Sequence, residues 1–145
     1  MAILSPSVFL NFRGDQLRYG FVSHLLDAFE RHRIKFFVDK NEPRGKDMTN
    51  LFVRIEASKI ALAIFSSSWC MDELVKMKKC VDNGSLQVIP IFYKVRASDV
   101  NRKTGEFGEN FWALARVSSG EQIKDWMEAL ECISGKMGLS LGDKR

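Results

Sequence analysis

Ile60-Ala61-Leu62-Ala63-Ile64-Phe65 runs without a polar residue into Ser66-Ser67-Ser68-Trp69-Cys70-Met71-Asp72-Glu73-Leu74. An unbroken apolar run of this length is what a central parallel strand, covered on both faces, requires. The hydroxyl residues end the run, and beyond them the apolar spacing becomes helical. Such a junction points to an open α/β sheet, where ligands bind outside the carboxyl ends of the strands. The turn carries hydroxyls, an indole and a carboxylate, the kinds of group that converge in a binding site. Glu73 is the first candidate among them.

Reading outward towards the N-terminus, Val8-Phe9-Leu10-Asn11-Phe12 suits a buried strand ended by the turn Arg13-Gly14-Asp15. Phe21, Val22, Leu25, Leu26 and Phe29 then repeat at helical spacing, closing on Arg31 to Arg33. Ile34 to Val38 gives a second strand, and Asp39 to Lys46 a polar loop whose Pro43 and Gly45 stop either element. Met48, Leu51, Phe52 and Ile55 predict a second helix.

Reading outward the other way, Cys70, Leu74, Met77 and Val81 form a helical apolar stripe. Trp69 and Glu73, four apart, then share a neighbouring face turned away from the deepest core. Asn83-Gly84 closes this helix, and Leu86 to Tyr93 supplies a fourth strand whose Pro90 predicts an edge position or a bulge. Phe107, Phe111, Leu114 and Ala115 predict a fourth helix; Ile123, Trp126, Met127, Leu130, Ile133 and Met137 predict a long fifth. A fifth strand is poorly marked, with Arg116 and Val117 its only hint. Strands alternating with helices imply a parallel sheet with helices on both faces. Four post-strand segments should then converge at one sheet edge: Arg13 to Asp15, Asp39 to Lys46, Ser66 to Glu73, and Tyr93 to Asp99.

The 145 residues fit one domain, spanning 1–145 with its core from about 7 to 139. At 46% hydrophobic and 28% charged, the composition is that of a globular protein that folds by itself. The net charge of +4 is too small to indicate nucleic acid. The basic stretches, Arg31 to Arg33 with Lys35 and Lys94 to Lys103, read as solvated helix ends and loops. Cys70, Cys80 and Cys132 form no CxxC pair, which suggests neither a zinc site nor a disulfide framework, so no metal is expected and a reducing compartment fits. No leader-like or membrane-spanning apolar run is present, so a cytoplasmic protein without a membrane partner is expected.

No Walker loop, GxGxxG, HExxH or GxSxG pattern occurs. His24 and His32, the two histidines, fall on the first helix, away from the converging edge, which argues against a serine–histidine triad. Taken alone, Glu73 has two readings. One is a first-turn carboxylate favoured, with Asp72, by the helix macrodipole. The other is a stabiliser of an electron-poor sugar carbon, with Trp69 as a stacking platform for a flat ring. Arg13 and Arg44 stand beside Gly14 and Gly45, and guanidinium with close backbone approach suits phosphate, although both also fit exposed loop arginines. The serines Ser66 to Ser68 also suit a helix cap.

These residues together resemble the plant Toll/interleukin receptor (TIR) domain family over roughly Ser7 to Leu139. The resemblance is carried by Val8-Phe9-Leu10-Asn11-Phe12-Arg13-Gly14, Phe21-Val22-Ser23-His24-Leu25, Arg44-Gly45, Ile55-Glu56 with Ser58, Phe65-Ser66, Trp69 to Leu74, and Pro90-Ile91-Phe92-Tyr93 with Ser98-Asp99-Val100. It implies a flavodoxin-like sheet of order 2-1-3-4-5 and a role in innate immune signalling. It further implies cleavage of NAD, as substrate and not as cofactor, at the nicotinamide–ribose bond once the domain self-associates. Glu73 matches the catalytic position, with Trp69 flanking the substrate rings and Phe12, Arg13 and Gly14 bordering the nucleotide. Arg44, Gly45 and Ser67 complete the substrate-binding set, and Asp39 to Lys46 would contact a neighbouring protomer. Ser23 and His24 match the pair at a first-helix association surface, with the last helix beside it. The alternative the resemblance allows is a scaffold or decoy without catalysis, working through contacts with other TIR domains.

The chain departs from the family pattern in four places. Three serines alone separate Phe65 from Trp69, where the family has several more residues. The loop before Arg44-Gly45 is about one residue short and carries Pro43, and the acidic pair after Arg13-Gly14 is displaced to Asp15-Gln16. Lys94, Arg96 and Ala97 stand where acidic and proline residues are usual.

Overall fold

The computed structural model describes residues 8–13, 17, 19–38, 48–67 and 71–141. Its elements are β1 (Val8–Asn11), α1 (Phe21–Arg31), β2 (Phe36–Val38), α2 (Met48–Ala57), β3 (Ile60–Phe65) and α3 (Met71–Asp82). They continue with β4 (Gln87–Tyr93), α4 (Ala97–Arg102), α5 (Gly105–Ala115), α6 (Gly120–Ser134) and β5 (Leu139–Leu141). All four ladders are parallel, in the order β2-β1-β3-β4-β5, which is the flavodoxin-like order.

The alternation of side chains along the strands divides the core in two. Phe9, Ala61, Ala63, Phe65, Val88 and Phe92 face one side and pack with residues from α2 to α6; Val8, Leu10, Ile64 and Ile91 face the other and pack with Val22, Leu25, Leu26 and Phe29 of α1. Helices cover both faces, unequally: of the described helices, α1 alone contributes to the second core. The long helix α6, expected beside α1, instead buries Trp126, Ala129, Leu130 and Ile133 in the opposite core.

Two helices end in the same way from different residues. After α3, Gly84 takes φ +78°, its N–H meets the Val81 carbonyl and the Ser85 N–H meets that of Cys80. This paired closure satisfies two orphan carbonyls and uses the left-handed freedom of glycine. After α1, Arg33 makes the same closure at φ 58°: its N–H reaches Glu30, and Ile34 reaches Phe29 at 2.8 Å. Ile34 and Phe29 both pack on the second core, which holds the arginine in a conformation it would not choose alone.

Several expectations need correction. Pro90 lies in a strand with neighbours on both sides, since β4 pairs β3 through Pro90 and β5 from Ile91 onward. The proline is tolerated because β5 starts one residue later, leaving that side of β4 locally unpaired. Gly138 then passes so near that a Cβ there would fall 2.1 Å from the Pro90 carbonyl oxygen. The fifth strand is Leu139–Leu141, whereas Arg116 and Val117 form the turn after α5 and Val117 is 82% exposed. Met137 lies beyond α6, exposed. The buried stripe of α3 is Met71, Leu74, Met77 and Cys80 together with Glu73; Val81 is half-buried, and Cys70 lies outside the described residues. Lys103, expected in a solvated stretch, is 7% exposed with its Nζ donating to the Asn101 carbonyl at 3.1 Å.

Candidate functional site

Because every ladder is parallel, β1, β3 and β4 end at one sheet edge, and Arg13, Ser66, Ser67 and Lys94 lie directly beyond them. Glu73 stands in the first turn of α3, the helix that follows β3. The negative end of its side chain is therefore near a helix N-terminus, where the macrodipole favours a carboxylate.

Glu73 is 7% exposed, while its neighbour Asp72 is exposed. The face that carries Glu73 thus turns inward, contrary to the expectation of a face away from the core. Burying a carboxylate is costly unless other groups hold it, and Glu73 has such interactions. A carboxylate sequestered at the ligand edge of a parallel sheet is able to stabilise a developing positive charge in low dielectric.

An aromatic column supports this turn from below. Phe65, the last residue of β3, stacks on Phe92 with ring centres 5.4 Å apart and meets Phe107 of α5 edge-on at 6.3 Å. Phe111 meets Trp126 edge-on at 6.3 Å, and the Trp126 Nε1–H donates to Asp72 Oδ1 across 3.4 Å. Nδ2 of Asn110 donates to the Ser67 carbonyl at 2.6 Å. Ser67, just after β3, is thereby tied to α5, and Asp72, in the first turn of α3, to α6.

Of the residues marked by sequence, Phe12 is buried, Arg13 and Ser67 are half-buried, and all three stand at this edge with Glu73. Gly14, Arg44, Gly45 and Trp69 lie outside the described residues, as does the loop Asp39 to Lys46. Ser23 and His24 are exposed on α1. Sequence reasoning missed Asn11, a polar residue 4% exposed at the end of β1, and the tethering pair Asn110 and Trp126. The signal for Asn11 was its place at the end of an apolar run; nothing local marks the tethers.

On α3 the Lys76 amine is held above the usual lysine range chiefly by its hydrogen bond to the Glu56 carboxylate. That pair joins α3 to α2 and favours the charged lysine. A cavity of about 380 Å³ opens at the other edge of the sheet, between Ser58, Lys59, Ser85 and Gln87, where β3 and β4 begin. Its position, away from the carboxyl ends of the strands, separates it from Glu73. Among the described residues no cluster of histidine, cysteine, aspartate and glutamate could hold a metal ion, and no helix is long and apolar enough to cross a membrane.

Comparison with known proteins agrees with this geometry. The chain is 64% identical over 145 residues to disease resistance protein RBA1 of Arabidopsis thaliana, covering 97% of this chain and 40% of that protein. It is 46% identical over 142 residues to disease resistance protein RPS4B of the same plant, covering 94% of this chain and 12% of the relative. The chain thus spans less than half the length of these relatives. Among solved structures, the TIR domains of the activated Roq1 resistosome, which directly recognises the pathogen effector XopQ, superpose with a TM-score of 0.83 at 32% identity, over 94% of this chain and 87% of that one. The family model for the TIR domain matches residues 7–144, and the chain belongs to the TIR domain family.

Proposed function

We propose that this chain is a TIR domain of plant innate immune signalling that cleaves NAD at the nicotinamide–ribose bond when copies associate. The observation that carries the reading is Glu73: a carboxylate 7% exposed, in the first turn after the central strand, at the sheet edge where ligands bind. Breaking an N-glycosidic bond requires the nicotinamide to depart and the ribose cation to be stabilised. A neutral leaving group reduces the need for a general acid, so one carboxylate suffices. Arg13 would meet the phosphates, and Trp69 would stack on the departing ring.

Concentrated protein incubated with NAD should release nicotinamide, and Glu73→Ala should not. Equal background release from both would overturn the enzyme reading.

One observation favours a second reading, a scaffold acting through other TIR domains. Ser23 and His24 are both exposed on α1, free of the core contacts made by Val22, Leu25 and Leu26. The resistosome in which the similar Roq1 domains were solved supports association as the working state. Light scattering at rising concentration should show growth that His24→Ala weakens; a strict monomer, unchanged by the substitution, would remove this reading.

A further inference from the structure

We infer that Asn110 is a positioning residue for Glu73, acting through the Ser67 carbonyl. This rests on the reading of Glu73 as the reacting carboxylate. Asn110 lies on α5, 43 positions along the chain from Ser67, and its Nδ2–H donates to the Ser67 carbonyl oxygen at 2.6 Å.

The position of this bond sets its consequence. Ser67 is the second residue after β3, and the chain from there leads into the first turn of α3, where Glu73 stands. Phe107 and Phe111 plant α5 in the core, the first against Phe65 and the second against Trp126, so Asn110 projects from a rigid wall. On the far side, Asp72 is held by the Trp126 indole. The carboxylate is thus set between a tether before it and a tether beside it.

Asn110 itself is exposed, so its bond adds little to the stability of the fold, because water replaces it readily. A reacting group is far less tolerant: a displacement of about 1 Å costs roughly a hundredfold in rate. The residue should therefore matter for turnover and scarcely for folding, which separates positioning from a structural role.

The test is nicotinamide release from NAD by the whole chain and by Asn110→Ala, Asn110→Asp and Asn110→Gln, at one concentration and with assembly checked by scattering. Glu109→Ala, on the neighbouring exposed position of α5, is the control. Asn110→Ala should lower kcat by roughly tenfold, part of the loss expected for full misplacement, with the melting temperature and KM little changed. An aspartate at 110 is nearly isosteric but, ionised, accepts where it should donate; its loss should equal or exceed that of alanine at neutral pH and lessen as the solution is acidified. Glutamine keeps the donor and should restore part of the rate.

Parental kcat in Asn110→Ala, or a loss matched by Glu109→Ala, would overturn the proposal. Amide hydrogen exchange gives a second readout independent of turnover: peptides over residues 64–74 should exchange faster in Asn110→Ala and Asn110→Asp than in the parent, while those over β4 stay unchanged. No difference there would also overturn it. If the parent and Glu73→Ala release equal nicotinamide, the enzyme reading falls alone, and the exchange data still decide whether Asn110 holds the turn.

Discussion

Gly108→Ala is the substitution for which helix propensity and packing predict opposite signs. Gly108 lies inside α5, where replacing glycine by alanine gains up to about 1 kcal/mol in an exposed helix. Here a Cβ would stand 2.1 Å from the Lys103 carbonyl oxygen and 2.3 Å from its carbon. Both are backbone atoms, so relief requires α5 to move away from the left-handed turn at Lys103, whose φ is 59°. Overpacking of this kind costs roughly 1–3 kcal/mol or more. The same carbonyl accepts from the Trp112 indole at 3.2 Å, and losing that bond adds about 1 kcal/mol. Subtracting the propensity gain leaves a net loss near 2 kcal/mol, or roughly 4–8 °C in melting temperature for a chain of this size. Thermal unfolding followed by far-ultraviolet circular dichroism measures it. Gly120→Ala is the matched control, because its Cβ would meet nothing within 4 Å and it opens α6, so stability should hold or rise slightly. A Gly108→Ala protein melting at or above the parent would refute the packing account.

Arg33→Gly should raise stability by about 1 kcal/mol, since glycine adopts φ 58° without the steric cost an arginine bears there; an unchanged or lower denaturation midpoint would contradict it. Ser119→Ala should cost about 1 kcal/mol by breaking a capping box in which the serine Oγ accepts from the Gln122 N–H at 3.1 Å; urea denaturation would show it, and no shift would mean α6 does not depend on its cap. Phe65→Ala should cost about 3–5 kcal/mol, because a fully buried ring with aromatic partners on two sides leaves a cavity; a loss below about 1 kcal/mol would imply that the core collapses around the gap.

The sequence made the main strand legible because Ile60 to Phe65 is apolar at every position, and its structural bounds are the same residues. Gly84 was legible as a helix end because glycine is the usual left-handed cap. Arg33 was not, since its conformation is imposed by Ile34 and Phe29 meeting in the core and by nothing in arginine itself. The strand Leu139–Leu141 escaped notice because three residues carry almost no period, and it forms only where Ile91 to Tyr93 offer a partner. At the candidate site, the residue type and place of Glu73 could be read, but its inward orientation could not. The helix stripe is set by which side chains meet α6, a long-range matter. Asn110 was invisible for the same reason: its meaning depends on a residue distant in the chain.

The register of the sheet also bears on how the protein is made. Val8 finds its partners at Phe36 and Ile60, and Ile60 finds one at Gln87, so no strand pairs with a segment close to it in the chain. During synthesis β1 emerges first, apolar on both sides, and must wait for β3 before it is flanked. Sheets built from such distant pairings form slowly, and their unpaired strands attract one another between molecules. A ribosome-bound chain ending shortly before Ile60 should therefore engage chaperones and resist release in soluble form, whereas one that has exposed β3 and α3 can begin to bury Phe9 and Phe65. The candidate site, at the edge formed by segments after β1 and β3, cannot exist before that moment.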